Sequence, residues 1–416
     1  LCFIFYFYIC KNIARFSMEN IKNVDNIEAK DILPRAFAED VTSIKQRYEQ
    51  KKAELGKTDR QIYKLLSMEP KTLNSILDGT AKRVNFTNAI KLANFLDITL
   101  SEIAESYLST ADSKEIEEIQ AARNLQYISE NFDITALTKE RFFEKHYNAK
   151  EMSERIISFF GLGSLYDYTK EAQTSTAFSR TKKKLRTDLM RDFWVVSALT
   201  QFKRINNPNT YDRKALIELI PKIRPYTMNV RTGFKMVLRA LFQVGVTVIF
   251  QPKLENTQVR GATMIVDDKP CVVISNLNNK YPTLWFALLH ELSHVLFDFT
   301  NIRNQTYHIS DGIGDLMLTN EEKADKFAND YLLNDSRLTF AKRYINSPIM
   351  LESFARQCGI HPSIIYVRYC YTNGNWAFYN KFIPKMDEAI QDINTDPFGH
   401  DSLLESVSLI KEFYNI

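Results

Sequence analysis

Three residues with metal-binding and acid–base chemistry lie close together in the run Leu284–Phe299, LWFALLHELSHVLFDF. His290 and His294 are four residues apart, which on an α-helix brings both imidazoles to nearly the same face. Glu291 follows the first histidine, and a carboxylate at that position can take a proton from a water bound to the same metal ion. The H-E-x-x-H spacing therefore predicts a metal-dependent hydrolytic centre with Glu291 as the general base.

The surrounding run is apolar almost all round and predicts one buried helix, with Pro282 in its first turn. Two imidazoles and a carboxylate are costly to bury unless a metal, a proton or hydrogen bonds compensate them. Burial thus favours a ligand role for His290 and His294. The alternative is a pair of hydrogen-bonded structural histidines that share this spacing by chance.

A catalytic zinc centre needs a third protein ligand and an open position for water. We expect this ligand on the next predicted helix, where Thr319 and Glu322 have capping-box spacing. Glu321 and Asp325 lie one turn apart on the same helix. They resemble the pair in the glutamate zincins, where a downstream glutamate is the third ligand and an aspartate four residues later orients a ligand imidazole. Glu322 is the alternative ligand, because a shift of one residue would exchange it with Glu321.

The HELSH helix, the short gap after it and the pattern E-x-x-A-D-x-F-A from Glu321 to Ala328 resemble the ImmA/IrrE metallopeptidase family. The resemblance extends more loosely over residues 225–370. One departure is Lys323, because family members often carry an acidic residue there. On a helix this position faces away from Glu321, so we expect little effect.

This resemblance implies a Zn²⁺ cofactor and three protein ligands, which are His290, His294 and Glu321. Glu291 would activate the water, and Asp325 would orient an imidazole. The implied substrate is a protein, specifically a transcriptional repressor of the phage type. Cleavage of that repressor would switch genes on.

Ahead of the H-E-x-x-H helix, the apolar pattern changes to the two-residue period of strands. Val246–Phe250, Ala262–Val266 and Cys271–Ser275 are β-branched runs separated by turn-forming residues. They predict a three-strand antiparallel meander. In zincins such a sheet precedes the active-site helix, and its edge strand pairs with an extended peptide substrate.

Residues 300–318, between the two metal-bearing helices, are rich in turn-forming residues and predict a mobile loop over the cleft. A tetrahedral intermediate needs a hydrogen-bond donor opposite the metal. His308 and Tyr307 in this loop, and Tyr331 on the following helix, are the candidate oxyanion donors. Spacing does not choose between them.

Residues 31–108 predict a compact helical unit. Asp59–Leu66 and Pro70–Leu77 indicate two helices joined by a short turn, and Val84–Leu96 indicates a further helix. The array resembles the phage-repressor (XRE-like) helix-turn-helix, with Leu65 packed at the helix crossing and Pro70–Leu77 as the recognition helix. In such modules the first residues of this helix enter the major groove of DNA.

This second resemblance implies DNA as a partner. The exposed candidates for contacts with bases or phosphates are Lys71, Thr72, Asn74 and Ser75. The basic residues that would neutralise phosphates around them are Lys57, Arg60, Lys64, Lys82 and Arg83. The alternative is a helical domain whose lysines only keep it soluble, or one that binds another repressor instead of DNA. A homodimer is left open.

The rest of the chain predicts further helical regions. Residues 113–224 are expected to form a helical middle region, 225–340 the metallopeptidase core and 341–416 a C-terminal helical region. In the last region, Leu351–Gly359 and Pro362–Tyr371 indicate a helical pair that either packs as structure or reads DNA. The expected fold is mainly α with a small α+β zincin core.

Composition is typical of a globular protein of two or three domains, with 416 residues, 45% hydrophobic and 25% charged. The net charge of +4 permits a nucleic-acid partner without requiring one. Five scattered cysteines form neither a disulfide framework nor a C-x-x-C metal site, so we expect a reducing cytoplasm.

The apolar run Leu1–Cys10 is too short for a membrane span and lacks the preceding basic residues of a signal peptide. Residues 1–17 are therefore expected to be an over-extended reading frame or a non-native start. A peripheral membrane anchor is the alternative.

Two functional hypotheses follow from these patterns. In the first, a zinc metallo-endopeptidase is guided to a transcriptional repressor by a DNA-binding unit. In the second, the chain is a DNA-binding regulator or antitoxin whose zinc fold senses or stabilises without proteolysis. Glu291 favours the first hypothesis, because a purely structural zinc site does not need a general base.

Overall fold

A computed structural model describes residues 43–81, 83–109, 113–169, 186–305, 307–311 and 321–416. The segment 1–17 lies outside the described residues. The chain divides into two compact units, Leu1–Arg123 and Asn124–Ile416. None of the described helices has both the length and the apolar character needed to cross a membrane.

The first unit is helical in its described part. Its helices are α1 (Ile44–Leu55), α2 (Asp59–Leu66), α3 (Pro70–Leu77), α4 (Phe86–Leu96) and α5 (Leu100–Leu108), followed by α6 (Ser113–Asn131), which contains the division between the units. The bounds of α2 and α3 are those predicted from the sequence. The next helix begins at Phe86 and not at Val84.

Local capping explains where α2 and α3 begin. The side chain of Gln61 accepts a 2.9 Å hydrogen bond from the backbone N–H of Thr58, the residue before α2, which completes a capping box. Ser67 ends the helix in the left-handed conformation with φ of 48°. Pro70 then opens α3, where its missing N–H costs nothing.

The expected packing of Leu65 is wrong, because this side chain is 67% exposed. Ile62 and Leu66 are buried instead and pack against Leu73 of α3. Ile62 and Leu66 are four residues apart and share one face of the helix, whereas Leu65 lies about 100° away from its neighbour Leu66.

The second unit contains most of the described helices in the three regions predicted from the sequence, which are the middle, core and C-terminal regions. Before the sheet these are α7 (Ile134–Lys139), α8 (Ala149–Phe160), α9 (Arg186–Ile205), α10 (Arg213–Ile223) and α11 (Gly233–Gln243). Side chains from all three predicted regions share one hydrophobic core, as Phe193, Leu288 and Ile365 illustrate.

A four-strand mixed sheet follows α11. Its strands are β1 (Thr247–Phe250), β2 (Val259–Val266), β3 (Lys269–Ile274) and β4 (Tyr307–Asp311), in the order β1-β3-β2-β4. β2 pairs antiparallel with β3 and with β4, whereas β1 pairs parallel with β3. Asp267 and Asp268 join β2 to β3 with φ of 51° and 60°, the positive values that a tight hairpin turn requires.

The predicted three-strand antiparallel meander is therefore wrong in strand number and in one pairing. Residues 251–258 connect β1 to β2 without pairing the two strands, and β3 lies between them, parallel to β1 and antiparallel to β2. The predicted loop at 300–318 is wrong in part, because it contains α13 (Phe299–Gln305) and β4. Residues 312–320 lie outside the described part of the chain.

The helix with the H-E-x-x-H motif is α12 (Tyr281–Phe297), and Pro282 stands in its first turn. It contacts β2, β3 and α14 (Glu321–Leu333). The helices that follow are α15 (Asp335–Ala341), α16 (Pro348–Cys358), α17 (Pro362–Asn373), α18 (Trp376–Tyr379), α19 (Asp387–Ile390) and α20 (Leu403–Tyr414). α17 contacts both α12 and α14, so these three helices and β2 surround the candidate site.

Candidate metal centre

The imidazoles of His290 and His294 meet on one face of α12. Their Nε2 atoms are 3.2 Å apart, and the two residues are only 6% and 0% exposed. Because side chains four residues apart stack on successive turns, the helix by itself brings these two nitrogens together. The pair is thus a buried, bidentate donor site.

Glu321, the first residue of α14, adds a carboxylate to this pair. Its Oε2 lies 3.2 Å from His290 Nε2, and its Oε1 lies 3.3 Å from His294 Nε2. Glu322, the alternative ligand predicted from the sequence, is exposed. Thr319, its expected capping partner, lies outside the described residues. The carboxylate beside the imidazoles is therefore that of Glu321.

The three donor groups fit one divalent ion. Their ligand atoms all lie within 4.8 Å of one another, and the described part of the chain offers no second cluster of this kind. Two ligands bound tetrahedrally at about 2.1 Å from a zinc ion would be roughly 3.4 Å apart. The observed separations match this spacing. Two imidazoles and one carboxylate are also a donor set of catalytic zinc centres.

Each imidazole also contacts a carboxylate through its other nitrogen. His290 Nδ1 lies 2.9 Å from Asp325 Oδ1, and His294 Nδ1 lies 2.8 Å from Asp298 Oδ2. An Nδ1–H that donates to a carboxylate leaves the Nε2 lone pair available to a metal. Asp325, which was expected from the sequence to orient an imidazole, contacts His290. Asp298 was missed, although it stands four residues after His294.

The carboxylates strongly affect the protonation of the metal-free site. Burial lowers the pKa of His290, but hydrogen bonds to Asp325 and Glu321 outweigh it and raise the pKa to about 10. Burial likewise opposes protonation of His294, and hydrogen bonds to Asp298 and Glu321 raise its pKa to about 9. Burial raises the pKa of Glu321, but hydrogen bonds from the histidines bring it far below its usual value. Without metal, the cluster therefore holds protons on the imidazoles.

Glu291 lies on the sheet side of α12 and is 1% exposed. Its Oε2 accepts a 2.7 Å hydrogen bond from the hydroxyl of Thr263, a fully buried residue of β2. Its Oε1 lies against Gly261 of the same strand, where an added Cβ would stand only 2.6 Å from that oxygen. The strand thus holds the carboxylate on both sides. Neither Thr263 nor Gly261 was predicted, because no sequence period links them to the helix.

β4 brings two further side chains to the cluster. His308 Nε2 lies 2.7 Å from Glu321 Oε1, and the hydroxyl of Ser310 lies 3.1 Å from His290 Nε2. His308 was predicted as an oxyanion donor, and in this structure it contacts the candidate ligand Glu321. Ser310 was missed. The alternation Tyr-His-Ile-Ser from 307 to 310, with β-forming residues at every second position, was the available signal for a strand.

The structure describes the side chain of only one of the two tyrosines that were predicted as oxyanion donors. The side chain of Tyr307 lies outside the described part of the structure. Tyr331 is half-buried on α14, where its ring packs 4.6 Å from that of Phe327. It is not among the residues that line the cavity beside the cluster.

A cavity of about 520 Å³ opens beside the cluster. It is lined by His290, Glu291 and Glu321 on one side and by residues of α17 on the other. This volume falls within the usual range of ligand pockets in proteins, about 300–1,000 Å³. The candidate base and two of the three candidate ligands thus border a space large enough for several atoms of a substrate.

The candidate DNA-contacting residues lie on α3 in the first unit. Lys71 and Asn74 are exposed, and Thr72 and Ser75 are half-buried. The Ser75 hydroxyl donates to the Thr72 carbonyl, and the Tyr63 hydroxyl lies 3.3 Å from Asn74 Oδ1.

Four of the five basic residues that were predicted to neutralise phosphates lie in the described part of the chain. Lys57, Arg60, Lys64 and Arg83 are exposed. Lys82 lies outside the described residues. The first unit therefore presents several solvent-exposed cations near α3 in sequence.

No protein-family model, no curated protein and no solved structure matches this chain.

Proposed function

We propose that this chain is a zinc-dependent endopeptidase that acts on a protein substrate, with a transcriptional repressor as the expected target. The observation that carries the proposal is the convergence of His290, His294 and Glu321, whose ligand atoms lie within 4.8 Å of one another. Glu291 borders the same cavity. Two imidazoles, one carboxylate ligand and a separate carboxylate beside them are what metal-assisted hydrolysis requires.

The mechanism assigns a role to each side chain. His290, His294 and Glu321 would hold the ion, and Asp325 and Asp298 fix the orientation of the two imidazoles. When bound, zinc supplies Lewis-acid activation of a water and of the scissile carbonyl. Glu291 takes a proton from the attacking water and delivers it to the leaving amine.

Burial and hydrogen bonding prepare Glu291 for this role. Thr263 fixes one carboxylate oxygen, and Gly261 leaves just enough room for the other. A base held in one orientation loses little entropy at the moment of proton transfer. The position of the carboxylate is thus set before a substrate arrives.

A peptide substrate suits the surroundings of the cluster. β4 is an edge strand, paired with β2 on one side only among the described strands. Ser310 and His308 of this strand contact the cluster, so a peptide added along the strand would pass close to the ligands. Addition of a strand to a sheet edge is a common mode of peptide recognition.

We propose DNA as a partner of the first unit, through Lys71, Thr72, Asn74 and Ser75 on α3. The exposure of Lys71 and Asn74 and the proximity in sequence of further exposed cations support this assignment. The unit would bring the protease to a repressor at its operator.

The decisive experiment uses Glu291→Gln, which retains the candidate ligands and removes the base. The wild type and the variant are expressed in turn, their metal content is measured, and the cellular protein complement is compared by mass spectrometry. We expect equal zinc content, and a repressor that is shortened only by the wild type. If both forms change gene expression equally, the chain is a regulator without proteolysis and the endopeptidase proposal fails.

A further inference from the structure

One rim of the cavity is formed by the loop between β3 and α12 together with Arg260 of β2. Ser275 and Asn278 of this loop line the cavity, as does Arg260. The backbone N–H of Ser275 donates a 3.0 Å hydrogen bond to the carbonyl of Arg260, which joins the loop to the strand. Lys280 is the last residue of the loop, directly before α12 begins at Tyr281. Two basic residues thus stand at the start and at the end of this loop.

Neither basic side chain is neutralised by a neighbouring carboxylate of the described residues. Arg260 is exposed, and its guanidinium has no hydrogen bond or ion pair with any residue that the structure describes. Lys280 is half-buried, and it forms no ion pair within the described ranges. An anionic group of a ligand can therefore pair with either cation without breaking an existing ion pair.

Trp376 of α18 holds Lys280 at the mouth of the cavity. The Nζ of Lys280 lies 3.8 Å from the centroid of the Trp376 ring. The same ring lies 5.1 Å from that of Tyr371, at an interplanar angle of 87°, and Tyr371 lines the cavity near the end of α17. A cation over an aromatic face is held there electrostatically. The position of the ammonium is therefore set by its neighbours, beside the opening.

The acidic lining of the cavity does not exclude an acidic ligand when zinc is bound. Three carboxylates line the cavity, those of Glu291, Glu321 and Asp325. The two charges of the ion and that of Arg260 balance them, and the imidazoles are neutral when they bind a metal. Arg368, also in the lining, pairs with Asp335 at 2.7 Å. Lys280 then leaves this rim with a net positive charge.

We propose that Arg260 and Lys280 form a docking site for an acidic segment of the protein substrate, outside the metal centre itself. Aspartate or glutamate side chains a few residues from the scissile bond pair with these two cations. The surface lies at the mouth of the cavity, so one extended chain can reach both the rim and the candidate ligands. This inference rests on the proposed endopeptidase function and specifies its substrate as a chain with acidic residues flanking the cut.

The same features favour a peptide over a nucleic acid as the occupant of this rim. A nucleic acid carries a charge at every phosphate, so those that miss the two cations would meet the carboxylates of the lining. A base also needs an open aromatic face for stacking, and Lys280 already covers one face of Trp376. A peptide can place its carboxylates at the cations and neutral main chain elsewhere.

The test measures binding, since the natural substrate is unidentified. The full chain is loaded with zinc and titrated calorimetrically with peptide hydroxamates, whose oxygens bind the metal. One series carries the peptide on the carbonyl side of the hydroxamate, and the other carries it through a succinyl spacer, so that the tails leave the metal in opposite directions. Each tail has one alanine followed by two glutamates, two glutamines or two lysines. Acetohydroxamate, which has no tail, is the reference.

We expect the glutamate probe to bind about 5- to 20-fold more tightly than the glutamine probe in one of the two series, because exposed ion pairs contribute modestly. The lysine probe should bind most weakly in that series. Added salt should reduce the preference for glutamate, since it screens exposed charges. Glutamine has the shape of glutamate without its charge, so the difference reports the cations alone.

Arg260→Glu and Lys280→Glu should each lower the preference for glutamate, and the double variant should favour the lysine probe. Acetohydroxamate should bind all forms equally, which shows that the fold and the zinc are retained. Lys214→Glu is the matched control, because Lys214 is exposed on α10 and does not line the cavity. It should keep the preference of the wild type.

Equal affinities of the wild type for the glutamate and glutamine probes in both series would overturn the inference while the endopeptidase proposal stands. A preference that survives in the double variant would overturn it as well. If the double variant loses only the binding of a fluorescein-labelled oligothymidylate, the rim is a nucleic-acid site and the inference is wrong. A wild type that holds no zinc would refute the endopeptidase proposal itself, and this inference with it.

Discussion

The hydroxyl of Thr263 lies 2.7 Å from Oε2 of Glu291 and donates a hydrogen bond to it. Both residues are buried, one on the central strand β2 and the other on α12. This contact joins the sheet to the helix at the carboxylate that would act as the base. It makes Thr263 a positioning residue for Glu291, and it can be tested without disturbing the candidate metal ligands.

Thr263→Val replaces the hydroxyl with a methyl group of similar size and suits a strand. We expect kcat/KM for peptide hydrolysis to fall about 10- to 100-fold, because a hydrogen bond to a charged group is lost. The loss should appear in kcat with KM nearly unchanged. Thr263→Ser restores the hydroxyl and should recover most of the activity. Equal activities of the Val and Ser variants would show that the contact has no role in catalysis.

Gly261→Ala tests the other side of the same carboxylate. The new Cβ would stand 2.6 Å from Glu291 Oε1 and 2.9 Å from its Cγ, so the side chain of Glu291 must move. Small displacements of catalytic groups cost on the order of 10²-fold in rate. We expect such a loss in kcat with unaltered zinc content. Gly163→Ala is the matched control, since its nearest atom lies at an ordinary 3.5 Å.

Glu321→Gln and Glu322→Gln form a matched pair for the metal centre. Glu321 lies 3.2 Å from His290 Nε2, whereas Glu322 is exposed. Loss of a charged ligand should lower zinc affinity by at least 10-fold, and the neighbouring change should leave it as in the wild type. Competition with a chromophoric chelator measures both. Equal affinities in the two variants would contradict the assignment of Glu321.

Zinc binding should depend on pH through the two imidazoles. The pKa of His290 is about 10 and that of His294 about 9 in the metal-free protein, so both are protonated at pH 7. Since a metal needs the Nε2 lone pairs, binding must displace about two protons at that pH. Affinity therefore falls as the pH is lowered. Calorimetry in buffers of different ionisation enthalpy counts the protons, and a count of zero would contradict this prediction.

Lys71→Ala tests the proposed DNA contact of α3. Removal of a phosphate-neutralising lysine should weaken binding on all sequences and reduce the slope of log affinity against log salt by about 1. Lys51→Ala is the control, because Lys51 lies on α1 and pairs with Glu54. Fluorescence anisotropy of the full chain with a promoter fragment measures both. Identical salt slopes for the two variants would exclude a role for Lys71 in phosphate contact.

Local patterns in the sequence were sufficient for features that depend on one helix or one turn. The spacing of His290 and His294 predicted a shared face, and their Nε2 atoms lie 3.2 Å apart. The bounds of α2 and α3 were also predicted, because capping residues and proline act over a few positions only. Helix geometry repeats every turn, so no distant contact is needed for these features.

Features that depend on contacts between two elements of secondary structure were predicted less well from the sequence. β1 pairs with β3 in parallel, and β4 pairs with β2 although α12 and α13 separate the two strands in the sequence. Local alternation of apolar residues predicts neither of these pairings. Leu65 was expected to be buried and is 67% exposed, because its neighbour Leu66 takes the face that meets α3. Packing partners, and not the apolar character of a residue, decide which face is buried.

The amino-acid sequence alone determined the helical phase of the two histidines and limited the candidate third ligand to one of two adjacent glutamates. Only the tertiary structure brought Glu321 to the imidazoles, Thr263 to Glu291 and Arg368 to the cavity wall. These residues are separated by many positions and meet because helices and strands pack against a common core. Such contacts depend on the folded chain as a whole, and they leave no periodic signal in the sequence.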